Sequence, residues 1–161
     1  MEENLQIRLA TPDDVHEVMK VALAACDENA FLDARQDLLL QEIWPALNLD
    51  HGLCPVIGPP NGEIQGLVLL RTGKIWYSDA TVLEERAVFV YPKYRSAKGG
   101  RAAKLCAFSK KAAEQLGLPL VIGVLSNSRT IGKVKMYTRI FGEPAGAFFL
   151  FNAKTGGHAV T

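Results

Sequence analysis

Lys93, Arg95, Lys98 and Arg101 crowd around the Gly99-Gly100 pair, and this is the part of the chain whose residue types and spacing most plainly suggest chemistry. The stretch from Val88 to Ala102 reads as an apolar strand stopped by Pro92, a basic glycine turn, and the opening of an alanine-rich helix. Glycines let a backbone approach a ligand closely, and the first turn of a helix points N–H groups outward, so a turn of this kind suits an anion. A phosphate-bearing ligand is the first expectation. Other reactive side chains are scattered. Cys26, Cys54 and Cys106 lack a C-x-x-C pair and read as buried thiols, and His16, His51 and His158 have no second ligand at helical or hairpin spacing. No metal is expected.

The rest of the composition bounds what could surround that turn. The 161 residues are 48% hydrophobic, which suits one domain spanning 1–161 with a substantial core. Eighteen basic and 17 acidic residues leave a net charge of +1 and are mixed along the chain, so the charge gives no argument for nucleic acid or an anionic membrane. No apolar run approaches the roughly 20 residues of a membrane span, and Met1-Glu2-Glu3-Asn4 is acidic where a secretory leader is basic. The cytoplasm is the default compartment.

The elements that must position the turn follow from local patterns. Gln6 to Ala10 alternates like a short strand, and Thr11-Pro12-Asp13-Asp14 supplies a cap, a proline at the first helical position and first-turn acids. Val15, Val18, Met19, Ala22 and Leu23 form the apolar stripe of the helix that follows. A second helical pattern runs from Asp37 to Leu47, interrupted by Pro45. Pro59-Pro60-Asn61-Gly62 suits a hairpin between Val56-Ile57 and the strand Ile64 to Leu70, and Ala80 to Val90 is the strand entering the turn. Arg101 to Leu116 reads as a helix stopped by Gly117. It is followed by a strand over Leu120 to Leu125, a helix over Arg129 to Arg139 and a last strand over Ala147 to Phe151. The order β-α-α-β-β-β-α-β-α-β implies an α+β fold with a mixed, mostly antiparallel sheet, helices on both faces, and a β-α-β crossover that contains the glycine turn.

With this order and these motifs the chain resembles the GNAT superfamily of N-acetyltransferases, in which a strand ending in Val-x-Pro leads into a turn that cradles the pyrophosphate of coenzyme A. Val90-Tyr91-Pro92 matches the entry, and Asn127 followed by Tyr137 matches the second signature. The turn is two residues longer than the family's Arg/Gln-x-x-Gly-x-Gly/Ala pattern: Ala97 takes the Arg/Gln place, and Gly100 and Ala102 take the glycine and small-residue places.

The resemblance implies transfer of an acetyl group from acetyl-CoA to an amine acceptor by direct attack, with the pantetheine arm pairing to the backbone of Val88 and Val90. Lys98, Gly99, Gly100, Arg101 and Ala102 would supply amides to the phosphates, with the side chains of Arg95, Lys98 and Arg101 as further anion contacts. Asn127 would bind the pantetheine or cap its helix. Tyr137 would protonate the departing thiolate, since a phenol keeps its proton at neutral pH. The proton-accepting carboxylate is sought at Glu84 or Glu85. Neighbouring strand residues face opposite sides, and regular alternation puts Glu84 on the face of Val88 and Val90. Trp44, His51 and Trp76 fit an acceptor wall, core anchors or a subunit interface, which leaves the class of amine and a homodimer open. A CoA-binding module that performs no transfer is the other reading of the same motifs.

Overall fold

Thr11 begins the first helical segment as the sequence predicts: its N–H donates to the Asp14 carboxylate at 2.8 Å, closing a capping box that Arg8 buttresses by pairing with the same carboxylate. The computed structural model describes residues 4–95, 99–126 and 128–153, and the elements named below lie within them. They run β1 (Gln6–Leu9), a 3-10 turn (Pro12–Asp14), α1 (Val15–Asn29), α2 (Gln36–Leu47), β2 (Gly52–Leu53), β3 (Pro55–Gly58), β4 (Gly66–Lys74), β5 (Thr81–Val90), α3 (Pro92–Arg95), α4 (Arg101–Leu116), β6 (Leu120–Val121) and α5 (Thr130–Phe141). The sheet order is β1-β3-β4-β5-β6, with β2 also pairing to β4. All pairings are antiparallel except β5 with β6, whose parallel crossover carries α4.

The sheet is packed on both faces. On one side Val18, Val21 and Ala22 of α1 and Ile43, Ala46 and Leu47 of α2 cover Val56, Leu67, Leu69 and Phe89. On the other, Leu105 and Ala113 of α4 cover Ile57, Val68, Leu70, Leu83 and Val90. Pro45 does not interrupt α2, which continues to Leu47. A proline removes the N–H that would bond the carbonyl four residues earlier; here Arg71 of β4 reaches the Gln41 carbonyl at 3.4 Å and that of Glu42 at 3.3 Å.

Strand β5 breaks its alternation. Leu69 pairs with Ala87 but Leu70 pairs with Glu85, so Arg86 is an extra residue, a β-bulge. Leu83 consequently shares the α4 face with Val88 and Val90, although an odd and an even position would otherwise face opposite ways. This single insertion re-aims the acidic pair.

Two expected strands are shorter or absent. Only Leu120–Val121 of the Leu120 to Leu125 run forms ladder pairs, so β5 has a neighbour at Leu83 and Glu84 and then an open edge. Ala147 to Phe151 forms no strand; Phe148, Phe149 and Phe151 are 87%, 94% and 92% exposed. An apolar segment becomes a strand only where it pairs in register with a sheet edge, and this one pairs with none.

Candidate active site

The open edge of β5 is the frame of the site. The Tyr91 N–H donates to the Gln65 carbonyl of the β4 side at 3.0 Å, so by strand alternation the polar backbone groups of Val88 and Val90 point the other way, into the gap before α5. A cleft occupies that gap, lined by Val88, Phe89, Val90, Arg95, Ala102, Arg129, Gly132, Lys133, Met136 and Tyr137. A larger apolar groove, about 860 Å³, runs between α1 and α2 past Val15, Met19, Leu40 and Trp44, but it shares no residue with the cleft. Lys133 and Tyr137 line the cleft at the open β5 edge, and Glu85 lies within electrostatic reach of both, which makes the cleft the candidate site.

Glu85 and not Glu84 faces this side. Regular alternation assigned Glu84 to the face of Val88 and Val90, and the bulge at Arg86 reverses the assignment. Glu84 lies opposite Arg71 on the α2 side, in an ion-pair network where Arg86 reaches Glu84 at 3.2 Å and Glu42 at 3.2 Å. Glu85 is turned toward Gly123, Lys133, Cys106 and Tyr137. Burial raises its carboxyl to about 7, against the Gly123 N–H, Lys133 and Arg86, which favour the charged form.

Tyr137 sits on α5, 8% exposed, with its ring edge-on to Phe141 at 5.8 Å. Burial pushes its phenol well above the ordinary tyrosine range, and the neighbouring Cys106 and Glu85 push it the same way. Its hydroxyl is hydrogen-bonded with Cys106, a fully buried thiol on α4 that burial itself pushes up to about 12. Tyr137 is held as a neutral proton donor next to a carboxyl poised near neutrality.

The turn is assembled from strain and burial. Gly100 caps α4 with φ 53° and open space where a Cβ would be, so the position favours glycine for its backbone angle alone. Gly99, at φ 125°, would in addition place a Cβ 2.6 Å from Leu5 Cδ1. Lys104 N–H bonds to the Gly100 carbonyl at 2.9 Å, and helix geometry leaves the amides of Ala102 and Ala103 with no acceptor inside α4. Lys98 and Asn127 lie outside the described residues.

The basic side chains separate into different roles. Arg101 was expected to meet an anion through its guanidinium, but it is 3% exposed. Its Nε donates to Gln65 at 2.7 Å, and the guanidinium lies 4.9 Å from the Tyr94 ring, tying the turn to the sheet. Arg95 does line the cleft, already engaged: it donates to the Val90 carbonyl at 2.8 Å, pairs in two-pronged fashion with Glu28 at the end of α1 (Nη2 to Oε2, 2.7 Å), and stacks 5.0 Å from the Phe89 ring. The Arg95 guanidinium holds the Glu28 carboxyl below its usual range. Trp76 is 94% exposed against Tyr77 in the β4–β5 turn, and Trp44 is on the α1–α2 groove.

Sequence reasoning passed over Arg129, Gly132, Lys133, Met136 and Cys106. Arg129, Lys133 and Tyr137 recur every four residues, so the helical period that placed Tyr137 on α5 also places the two cations on its face. That signal was in the sequence.

No protein-family model matches the sequence, and no curated protein matches it. Solved structures do. The chain is similar to the aminoglycoside acetyltransferase AAC(6')-Iy in complex with a CoA-containing bisubstrate analogue (16% identity, 93% of this chain and 98% of that one, TM-score 0.70). It is also similar to an integron cassette protein from the mobile metagenome of Cole Harbour Salt Marsh (20% identity, 97% and 91%, TM-score 0.69). A third is aminoglycoside 6'-N-acetyltransferase AAC(6')-Ih from Acinetobacter baumannii (15% identity, 92% and 97%, TM-score 0.64). At these identities the likeness establishes the fold: a mixed, mostly antiparallel sheet between helices, as in the GNAT acetyltransferases.

Proposed function

We propose that the protein transfers an acetyl group from acetyl-CoA to an amine, in a ternary complex and without a covalent enzyme intermediate. The observation that carries this reading is the fork in the sheet: an open β5 edge at Val88 and Val90, with Glu85 and Tyr137 drawn together at its vertex. The pantetheine arm fits the gap as a substitute strand, its amides bonding the edge that β6 abandons. The first-turn amides of α4 and the Gly99-Gly100 turn suit the pyrophosphate. Similar structures hold CoA or a CoA-containing analogue, which supports the assignment of the cosubstrate.

In the reaction Glu85 accepts the proton that the attacking amine loses, directly or through one water. Tyr137 donates its proton to the sulfur as the carbon–sulfur bond breaks, because a phenol with a raised pKa keeps that proton until charge develops on the leaving group. The products are an N-acetyl amine and free CoA. Aminoglycosides are named as ligands of similar enzymes, so they belong in any acceptor panel beside small amines and peptides. The protein is further read as a homodimer, supported by the uncovered Phe148, Phe149 and Phe151.

The test is CoA release from acetyl-CoA across that amine panel, repeated with Tyr137→Phe. Turnover with at least one amine, lowered about 100-fold in the variant, is expected for a general acid. Binding of acetyl-CoA with no release on any amine would favour the CoA-binding module without transfer, and unchanged turnover in the variant would remove Tyr137 as the acid.

A further inference from the structure

Lys133 is a primary amine placed where the proposed reaction needs one. It lies one helical turn before Tyr137 on the same face of α5, and it lines the same cleft as Val88 and Val90. The side chain is half-buried and couples electrostatically to Glu85 of β5. We propose that Lys133 is an internal acceptor, so that in the absence of an external amine the enzyme acetylates its own Lys133 from acetyl-CoA. This rests on the acetyl-CoA reading above and goes beyond it by naming a modification site.

The burial of Lys133 favours the neutral amine that attack requires. Burial lowers its pKa most, and Arg129 and Arg95 lower it further; Glu28 and Glu85 act in the opposite sense. In the step itself the Lys133 Nζ lone pair forms a bond to the thioester carbonyl carbon and the carbon–sulfur bond breaks. The amine proton passes to the Glu85 carboxylate and the Tyr137 proton to the leaving sulfur, and the proton held by Glu85 then returns to the Tyr137 phenolate, giving acetyl-lysine and CoA with no other reactant. The modification would remove a positive charge from the cleft and add an apolar group against Tyr137, so it would also slow turnover on external amines.

The experiment incubates the full-length protein with acetyl-CoA in an amine-free buffer and follows each lysine by peptide mass spectrometry, with acetyl-CoA binding measured by calorimetry on the same sample. Lys20 and Lys135, both exposed, report background chemical acetylation. Lys133 is expected to gain an acetyl group at least about tenfold faster than either, as positioning beside the thioester implies, and Tyr137→Phe is expected to slow Lys133 alone. Lys133→Arg should abolish the fast phase while acetyl-CoA still binds. If acetyl-CoA binds and Lys133 reacts no faster than Lys20 and Lys135, or Tyr137→Phe leaves its rate unaltered, the inference is overturned and the transferase reading stands. If acetyl-CoA does not bind, both fall.

Discussion

Glu84 and Glu85 differ by one position in the chain and by the whole thickness of the sheet in what they meet. Glu84 is neutralised by Arg86 beside Glu42 and Arg71, while Glu85 is left desolvated at the fork. A carboxyl raised from 4.5 to about 7 holds its proton in the folded state across a pH range where the unfolded chain has lost it. The folded state therefore binds more protons than the unfolded one in that window, and stability falls as pH rises through it. Glu85→Gln keeps an acceptor for the Gly123 N–H and removes the buried charge. We predict that urea unfolding at pH 8 finds the variant more stable than wild type by up to about 3 kcal/mol, with the difference vanishing as pH falls toward 4.5. Its turnover should drop about 100-fold, as loss of a general base implies, and the rise of wild-type activity through about pH 7 should disappear. A variant less stable at pH 8, or an unaltered pH profile, would show that Glu85 is not the desolvated base. No signal in Glu84-Glu85-Arg86-Ala87 announces a bulge, so strand alternation alone put the wrong carboxylate on the face of Val88 and Val90. The extra residue is seen only against β4.

At the scale of elements, most of the architecture was legible because its signals are local. The capping box at Thr11, the hairpin turn at Asn61-Gly62, the stop at Gly117 and the stripes of α1 and α4 needed no tertiary information. The glycine turn was legible as glycines and basic residues, but not which cations turn inward: Arg101 is claimed by Gln65 and Tyr94, partners distant in sequence or hidden by the turn's own fold. Ala147 to Phe151 has a strand's apolar composition but pairs with no edge of the sheet. Exposed Phe148, Phe149, Leu150 and Phe151 could bury on the order of 500 Å² per copy, so a symmetric pair would reach the roughly 1,000 Å² of a specific interface. A homodimer through this segment predicts a dimer mass in sedimentation or light scattering, converted to monomer by Phe149→Ser with Phe151→Ser. A wild-type monomer at high concentration would refute it.

At the scale of the molecule, helices close both faces of the sheet among the described residues, and β5 keeps an open edge where it parts from β6. The fold thus offers backbone pairing to a ligand without giving up core. Gly132 marks the opposite wall: a helix-interior glycine that costs about 1 kcal/mol relative to alanine, with nothing within 4 Å of where its Cβ would be. It leaves α5 bare where the pantetheine arm would pass. Gly132→Leu should therefore keep or raise the melting temperature while filling the cleft. The decisive measurement is a calorimetric titration of wild type and Gly132→Leu with acetyl-CoA. The account predicts saturable binding to wild type and at least about tenfold weaker binding to a variant that remains folded, a loss of about 1.4 kcal/mol. No heat of binding to wild type at millimolar acetyl-CoA, or equal affinity in the two proteins, would contradict it.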